Sequence, residues 1–502
     1  MQARTRWWAL AVVSLASFMA YLDNNVTNVA LPTIQRDLHL SVAGLEWIVS
    51  SYILALAALL LAGGRLADVY GRRRIFLTGL AVFTLASLTA GLAGSGGVLI
   101  TARTVQGVGA ALMLPATLAI LQHSFTDARE RAAAIGIWGA AGALALALGP
   151  VIGGLISQHI HWGWIFLINV PVGAVTFALS LSSVDDSRVE SASRRLDLPG
   201  VLSSTLGLTA LTYALIEGQN RGWTSAAIIA AFAVSAVAAA VFLTVETRAA
   251  NPMVSLAIFR SRQFSGGIGT MMIWSFGILG IYFFTSLYLQ EILGFSPTKA
   301  GLAFTPMALC VVAVSIVAPQ VSAAIGTHRT VALGMAAMAG GLVLFARLGG
   351  GAGFGSLMPG FVLFGAGTGL MIAPLTNAIM ESAPAAQAGI ASALLNASRE
   401  VAGLLGVTVI GAVLRSREAA SLRGGSSAAQ SFLDGYHTGL WVTIGLLAAG
   451  VALSYMALRH PAGDAASGPG AVTAEPAALG EILAEDVYGI RVAGPEAGHG
   501  LD

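Results

Sequence analysis

Lysine, cysteine and charge of either sign are scarce in this 502-residue sequence. Lys299 is the only lysine, and it follows Thr298, so the Gly-Lys-Ser/Thr element of a P-loop nucleotide site is excluded. Cys310 is the only cysteine, which excludes a disulfide within the chain and argues against a cysteine-ligated metal site. We expect Cys310 to pack as a small apolar residue.

Charged residues make up only 10% of the chain, whereas 56% of it is hydrophobic. Ordinary soluble proteins carry about 25% charged residues. The formal net charge of +2 is too small to indicate a nucleic-acid partner. Many apolar runs reach the ~20 residues that a helix needs to cross a hydrocarbon core ~30 Å thick. The composition therefore predicts an all-α polytopic membrane protein.

Fourteen runs are long and apolar enough to be transmembrane helices. The predicted spans are residues 9–32, 44–64, 75–95, 98–122, 132–156, 164–184, 198–217, 224–246, 265–290, 300–325, 329–347, 355–380, 387–413 and 437–458. Arg4 and Arg6 precede the first run, but no small-residue cleavage site follows it, so we expect an uncleaved helix rather than a signal peptide.

A repeated motif predicts how these spans are grouped. Gly71-Arg72-Arg73-Arg74 opens the third span, and the weaker copy Gly326-Thr327-His328-Arg329 opens the eleventh. Six spans, two inserted spans and six more would place both copies in equivalent positions, and repeated halves are typical of secondary transporters. The predicted units are an N-terminal half (residues 1–184), an inserted pair with its loops (185–263), a C-terminal half (264–459) and a flexible cytoplasmic tail (460–502).

The basic residues predict the orientation of the chain. Most of the 26 lysines and arginines fall on the side that carries the N-terminus. Arginine-rich loops stay in the cytoplasm, so we expect both termini inside the cell membrane. The exception is a predicted outer loop after the thirteenth span, which carries Arg415, Arg417 and Arg423.

Asp23 lies about two-thirds along the first span, within Asp-Asn-Asn-Val-Thr-Asn. An intramembrane carboxylate costs about 2.5–3.5 kcal/mol on insertion scales unless it is neutralised or faces a cavity. Asp23 is therefore a candidate proton or cation-substrate site. The alternative is an acid near the outer interface, satisfied by the neighbouring amide and hydroxyl side chains.

Two further arginines, Arg103 and Arg399, lie inside predicted helices. Gln106 follows Arg103 by three residues and so shares its helix face. Because arginine keeps its charge, Arg103 could act as a fixed counter-charge to a carboxylate; the alternative is a structural arginine bonded to backbone carbonyls. Arg399 and Glu400 are neighbours about 100° apart on a helix, so we expect one to face a cavity and the other a helix interface.

Other polar and aromatic groups carry weaker signals. The aromatic side chains of the ninth span could contact a flat or cationic ligand, although packing is the commoner role. Glu46, Glu217 and Glu291 lie at outer ends of spans, where we expect solvated side chains, with Glu46 the first exception to consider. The aromatic group comprises Trp274, Phe276, Tyr282, Phe283, Phe284 and Tyr288. The sequence shows neither a nucleophile elbow nor His-metal spacing, so it indicates no enzyme.

Two glycine-containing motifs complete the set. The loop from Gly64 to Arg74 holds Asp68, Gly71, Arg72 and Arg73 between two membrane-length runs. In the fifth span, the spacing of Gly149 and Gly153 allows close helix packing, and Pro150 removes a helix hydrogen bond. Gly154 extends this second motif.

Together these motifs resemble the major facilitator superfamily, in particular its fourteen-helix drug:proton antiporter branch. The resemblance covers roughly residues 8–458, and the ordered set is more specific than any single motif. Gly163 and Glu400 depart from the family pattern, which often has arginine and glutamine there. The residues that carry the resemblance are Gly64 to Arg74, Arg103 with Gln106-Gly107, Gly149-Pro150 with Gly153-Gly154, Asp23 to Pro32, Trp164 to Pro171 and Asn396 to Gly406.

The resemblance implies a 6+2+6 major facilitator fold and export of a hydrophobic, often cationic drug or antibiotic in exchange for protons. It implies the proton gradient as the energy source, with no cofactor or metal, no nucleic acid and no obligate protein partner. Asp23 would carry the proton, with Glu400 as second choice, and the Asp68–Arg72/Arg73 cluster would latch the inner ends of the halves. The abundance of arginine and of glycine, 61 residues, indicates a GC-rich genome such as an actinobacterial one, where self-resistance to an antibiotic is the expected role. The alternatives are a broad multidrug pump, a nutrient importer of the same fold or a membrane receptor.

Overall fold

The computed structural model describes residues 3–188, 197–248, 254, 256–383 and 388–459, and within these ranges it contains sixteen α-helices and no β-strand. The tail predicted at residues 460–502 lies outside the described residues. In chain order the helices are α1 (Ala3–Leu38), α2 (Val42–Tyr70), α3 (Arg72–Gly91), α4 (Gly96–Ser124), α5 (Ala128–His159), α6 (Trp164–Leu167), α7 (Asn169–Ser183), α8 (Leu198–Arg221), α9 (Ala226–Arg248), α10 (Arg262–Leu287), α11 (Pro297–Ala303), α12 (Thr305–Ile325), α13 (Thr327–Phe345), α14 (Phe354–Glu381), α15 (Ala388–Arg423) and α16 (Ala428–Ala457).

These helices form fourteen candidate membrane spans, which confirms the predicted all-α architecture. Two spans are each built from two helices. α6 and α7 together make the span Trp164–Ser183, and α11 and α12 make the span Pro297–Ile325. The second break coincides with Pro306, which has no N–H to continue the hydrogen bonds of the preceding helix.

Local sequence explains where the helices begin and turn. The side chains of Ser95 and Asp127 cap α4 and α5, and the two backbone N–H groups that bond to Asp127 lower its carboxyl pKa. Gly71 after α2 has φ of 108° and Gly326 after α12 has φ of 88°, values that glycine adopts without a Cβ penalty. Both glycines of the repeated motif therefore make the same kind of tight turn.

The most extensive helix contacts lie within each of the two predicted halves. In the first half α1 packs on α5 and α7, and α4 packs on α2 and α3. In the second half α10 packs on α15 and α16, and α14 packs on α12 and α13. α8 contacts α9 and also touches α2 and α15, so α8 rests on both predicted halves.

The prediction that an outer loop begins directly after the thirteenth span is wrong. α15 continues as a helix through Arg423, well beyond the predicted end of the span at residue 413. Arg415 is buried instead of solvated, because its charge has a partner in α2 and its guanidinium donates to α8.

Candidate functional site

Asp23 is fully enclosed in α1, at the centre of a polar cluster made by four helices. Its carboxylate forms an ion pair with Arg103 of α4. Gln106 Nε2 donates to Asp23 Oδ1 at 2.8 Å, and Asn169 Nδ2 of α7 donates to the same oxygen at 2.7 Å. The hydroxyl of Ser87, on α3, accepts from Gln106 at 2.9 Å. Each of these side chains is buried, so the cluster is a closed polar island in an apolar interior.

Arg103 is held from several directions at once. Besides Asp23, its Nη1 donates to Gln106 Oε1 at 2.8 Å, and its Nε donates to the Ile48 carbonyl of α2 at 3.3 Å. The guanidinium carbon lies 4.3 Å from the ring centroid of Tyr52. The structure therefore combines the two interpretations of Arg103, because it pairs with a carboxylate and also bonds to a backbone carbonyl.

The polar side chains that flank Asp23 do not satisfy it. Asn25 Nδ2 donates to the Tyr21 carbonyl at 2.7 Å, and Asn28 Nδ2 donates to the Asn24 carbonyl at 3.2 Å. Thr27 bonds to the backbone of Asp23 itself at 2.7 Å. These bonds stay within α1, so the carboxylate depends on partners from α4 and α7.

Arg399 and Glu400 lie in α15, on the other half. Their side chains contact each other, with Arg399 Nη2 at 3.3 Å from Glu400 Oε1. That one of them faces a cavity and the other a helix interface stays a prediction. Tyr21 of α1 lies within hydrogen-bond reach of Arg399. Tyr52 of α2 is within electrostatic range of both Asp23 and Glu400.

Apart from Gly71, the predicted arginine-rich loop is helical, and it bonds to the predicted cytoplasmic ends of helices in its own half. Asp68 Oδ1 lies 3.4 Å from Arg72 Nη2, and Arg72 Nη1 donates to the Ala119 carbonyl at 3.1 Å. Arg73 Nη2 donates to the Leu181 carbonyl at the end of α7. The loop thus ties α2, α4 and α7 together, while its action as a latch between the halves stays a prediction. Gly64 packs near Pro115, where an added Cβ would make ordinary contact at 3.5 Å.

The glycines of the α5 motif mark its closest helix contacts. A Cβ at Gly149 would overlap Asn25, and one at Gly153 would overlap the Val26 carbonyl, so both glycines allow α5 to approach α1. On another face of α5, a Cβ at Gly154 would overlap the Pro297 carbonyl of α11. The contact is reciprocal, because a Cβ at Gly301 of α11 would overlap the Pro150 carbonyl.

Further bonds join the two halves near their predicted outer ends. Ser286 Oγ donates to the Asn28 carbonyl at 2.9 Å, and Gln290 Nε2 donates to the Val29 carbonyl at 2.9 Å. Together with the α5–α11 contact, they close the predicted outer side. Access to the Asp23 cluster from that side therefore requires the halves to separate there.

The aromatic residues of the ninth span belong mainly to the packing of the second half. Tyr282 packs on Phe304, with ring centroids 4.4 Å apart, and borders a cavity of about 10 Å³, room for about one water molecule. Tyr288 stacks on Tyr436 with centroids 5.0 Å apart. Ligand contact by this group stays a prediction. Within the described ranges, no cluster of three or more His, Cys, Asp or Glu residues could hold a metal ion.

Sequence reasoning did not single out Asn169, Ser87 or the partner of Glu46. Asn169 stands alone as an amide in an apolar segment, in Trp164 to Pro171, and that isolation was the available signal. Ser87 gave none, because a helical serine usually bonds to a carbonyl one turn earlier, as Ser87 also does with Phe83. Glu46 proves to be fully buried and paired with Arg415.

Comparison with known proteins agrees with this architecture. Residues 13–407 match the family model described as Major Facilitator Superfamily. A bacterial homologue of the human lysosomal transporter Spinster, in an inward-facing and unoccupied conformation, has the same fold, with a TM-score of 0.65 at 15% identity over 90% of this chain and 97% of that one. A peptide transporter of the POT family in complex with sulfate gives a TM-score of 0.65, also at 15% identity, over 90% of this chain and 95% of that one.

Relatives with higher identity are resistance and export proteins. The chain is 38% identical to the multidrug resistance protein Stp of Mycobacterium tuberculosis, over 84% of this chain and 78% of that protein. It is 34% identical to the puromycin resistance protein of Streptomyces alboniger, over 88% of each. It is also 34% identical to the tetracenomycin C resistance and export protein of Streptomyces glaucescens, over 82% of this chain and 76% of that protein. The chain therefore belongs to the Major Facilitator Superfamily, in the branch that these resistance and export proteins represent.

Proposed function

We propose that this protein exports a hydrophobic drug or antibiotic across the cytoplasmic membrane in exchange for protons. The observation that carries the proposal is the buried Asp23 carboxylate, held by Arg103, Gln106 and Asn169 beneath a closed outer side. An ionisable side chain buried within a membrane span is a functional group by default. The resistance and export relatives support the choice of drugs as cargo.

Asp23 has the partners that a proton-exchange site needs. Arg103 and two amide donors stabilise the carboxylate as an anion while the outer ends are closed. A proton that arrives when the outer side opens neutralises Asp23 and weakens its attraction to Arg103. The proton leaves to the cytoplasm when the halves rock back and Arg103 again pairs with the carboxylate.

The remaining candidate residues have supporting roles. Glu400, with Arg399 beside it, is the second carboxylate at the region between the halves and can receive a cationic drug. Asp68, Arg72 and Arg73 fix the cytoplasmic ends of the first half and act as the latch when the inner side closes. The proton gradient is the energy source, and the proposal requires neither a cofactor nor a protein partner.

The orientation belongs to the same proposal. Both termini lie in the cytoplasm, because most arginines fall on that side of the spans. Protons then enter from the side that the α5–α11 contact closes, and the drug enters from the side that carries the arginine-rich loop.

Two ranges of cargo are supported by different relatives. The Streptomyces proteins are named for single antibiotics, which favours a dedicated self-resistance exporter, as expected for an actinobacterial chain. The mycobacterial relative is named a multidrug resistance protein, which favours a broad pump. A panel containing puromycin, tetracenomycin C and structurally unrelated cationic dyes separates these alternatives.

Everted membrane vesicles test the proposal. Respiration acidifies their lumen, and a lumenal pH dye is followed while each compound is added. We expect a transported compound to raise the lumenal pH in vesicles that contain the protein and to leave it unchanged in vesicles that lack it. Accumulation of the compound that persists after the proton gradient has been collapsed would contradict proton coupling.

A further inference from the structure

We propose that Glu46 and Arg415 form the outer gate of this transporter, that the inserted helix α8 is part of that gate, and that a proton bound by Glu46 from outside opens it. The inference rests on the proposed proton-coupled export and adds a second proton-binding residue, distinct from Asp23. It also gives a role to the helix pair inserted between the halves.

The pair joins the two halves directly. Glu46 lies in the second turn of α2 with no exposed surface, and Arg415 lies near the predicted outer end of α15 with 6% of its surface exposed. The two side chains form an ion pair between the first and second halves. Gly411, one turn before Arg415, leaves the space that the carboxylate fills, because a Cβ there would overlap Glu46. The surface of α15 is therefore shaped to receive this carboxylate.

α8 encloses the pair and contacts both of its helices. Arg415 Nη2 donates to the Leu215 carbonyl at 3.0 Å and to the Ile216 carbonyl at 3.2 Å. On the α2 side, Trp47 Nε1 donates to Glu217 Oε1 at 3.0 Å. These bonds come from consecutive residues of α8. The inserted helix thus covers the junction at the point where the halves meet.

The charged groups around the pair favour a response to protons. On α8, Glu217 Oε2 lies 3.9 Å from Arg221 Nε. On α15, Glu418 acts electrostatically on Arg415, and it also acts on Glu291, shortly after the end of α10. Arg36 of α1 acts on Glu291 as well. Glu418 offers Arg415 another acidic partner once Glu46 is neutral, and Glu418 is more exposed to solvent than Glu46.

The physical effect of a proton on Glu46 follows from the burial of the pair. A buried ion pair that loses one charge leaves the other charge desolvated, which is strongly unfavourable. When the outer ends of α2 and α15 separate, the Arg415 guanidinium can contact water or an exposed acidic side chain. External acid therefore favours the outward-open state, in which protons can reach Asp23.

Accessibility of a buried thiol tests the gate independently of drug export. Cys310→Ser provides a background without cysteine, and Ser286→Cys introduces a small thiol at the closed contact between α10 and α1. A membrane-impermeant thiol reagent is added to intact cells at neutral and at mildly acidic external pH. Gly351→Cys, at an exposed loop position, corrects for the dependence of thiol chemistry on pH.

With Glu46 present, we expect the corrected labelling rate at Ser286→Cys to rise several-fold as the external pH falls. Glu46→Gln should label rapidly at both pH values, because it carries no charge to hold Arg415. Glu46→Asp should keep the pH response with faster labelling at neutral pH, since its carboxylate still titrates but reaches less far. Glu381→Gln, at an exposed carboxylate that ends α14 and lies outside the gate, is the control and should behave as the background chain.

The gate proposal is contradicted if the introduced cysteine in Glu46→Gln, present at normal levels, is labelled as slowly and with the same pH response as in the background chain. If Glu46→Gln does not accumulate, a Glu46→Asp profile identical to the background has the same meaning. The result is separable from the proposed function. Drug export without proton movement, together with labelling that depends on Glu46, contradicts the proposed function but not the gate. Proton-coupled export, together with labelling that does not depend on Glu46, contradicts only the gate.

Discussion

At the scale of single residues, Asp23 shows how a charge can be kept inside a membrane protein. Its charge is balanced by Arg103 at Oδ2, and Gln106 and Asn169 both donate to Oδ1. Removing one partner of a buried ion pair costs more than the pair contributes, because the other charge stays behind. Substitutions in this cluster are therefore expected to affect activity in ways that depend on which charge remains.

Asp23→Asn is expected to abolish proton-coupled export while the protein still reaches the membrane. The amide keeps the size of the side chain, and its oxygen can still accept from Gln106 and Asn169, but it cannot carry a proton and cannot accept from Arg103 through its nitrogen. The measurement is drug-induced change of lumenal pH in everted vesicles. Asp37→Asn is the matched control at the exposed end of the same helix and should couple normally. Normal coupling in Asp23→Asn would mean that another group carries the proton.

Arg103→Lys is expected to reduce export about ten-fold or more, the effect of losing about 1.4 kcal/mol from the working cycle. Lysine cannot reproduce donation to Asp23, Gln106 and the Ile48 carbonyl at the same time as contact with an aromatic ring. Initial export rates, corrected for the amount of protein in the membrane, measure the loss. Arg36→Lys, at the far end of α1, should retain its rate; equal rates in both variants would reduce Arg103 to a general positive charge.

At the scale of helices, close approach depends on a few glycines of α5 and α11. The Gly154–Pro297 and Gly301–Pro150 contacts bring backbone against backbone at the predicted outer side. Such small-residue contacts are how membrane helices pack without a hydrophobic driving force between them. The motif could be predicted from the spacing of the glycines, but its partner helix could not, because that partner lies in the other half.

Gly154→Ala is expected to weaken closure of the outer side and slow export. The added methyl group overlaps the Pro297 carbonyl, and overpacking costs about 1–3 kcal/mol. Export in everted vesicles and labelling of Ser286→Cys from outside measure the effect. Gly139→Ala, in the same helix, meets no atom within 4 Å and should support normal export, with about 0.5–1 kcal/mol of added helix stability. Unchanged export and labelling in Gly154→Ala would show that α5 and α11 need not approach closely.

At the scale of the whole molecule, the architecture could be predicted from the sequence more completely than the pairs of side chains that contact each other. The fourteen spans followed from apolar runs, because every membrane helix must supply its own hydrophobic length. Asp23 and Arg103 were each recognised as unusual, since charge in such a run has to be compensated. Their pairing, and that of Glu46 with Arg415, could not be read from one chain, since each joins residues far apart in sequence.

The same reasoning explains the error at α15. Arg415 and Arg417 indicate a loop on the assumption that arginine is solvated, and for Arg415 the α8 carbonyls and Glu46 replace the solvent. Tertiary partners thus override a local pattern that is otherwise reliable. Breaks such as the one between α11 and α12 were missed for a related reason, because hydropathy continues unchanged across them.

The energetics of the proposed exchange cycle give the last prediction. One proton moving inward in exchange for one monovalent cation moving outward transfers no net charge, so the membrane voltage does no work on the cycle. For an uncharged drug, the same cycle moves one charge inward, and 100 mV then contributes about 2.3 kcal/mol. Collapsing the voltage of everted vesicles with valinomycin and potassium should therefore leave the steady-state accumulation of a cationic substrate unchanged and reduce that of a neutral one.

Collapsing the pH gradient with nigericin under the same conditions should abolish accumulation of the cation and reduce accumulation of the neutral drug. This contrast depends on a single coupling carboxylate. If Asp23 and Glu400 both carried a proton in each cycle, export of a monovalent cation would move one net charge inward and would respond to voltage. Sensitivity of cation accumulation to valinomycin, lost in Glu400→Gln but not in a Glu381→Gln control, would therefore assign a second proton to Glu400 and replace the one-proton cycle.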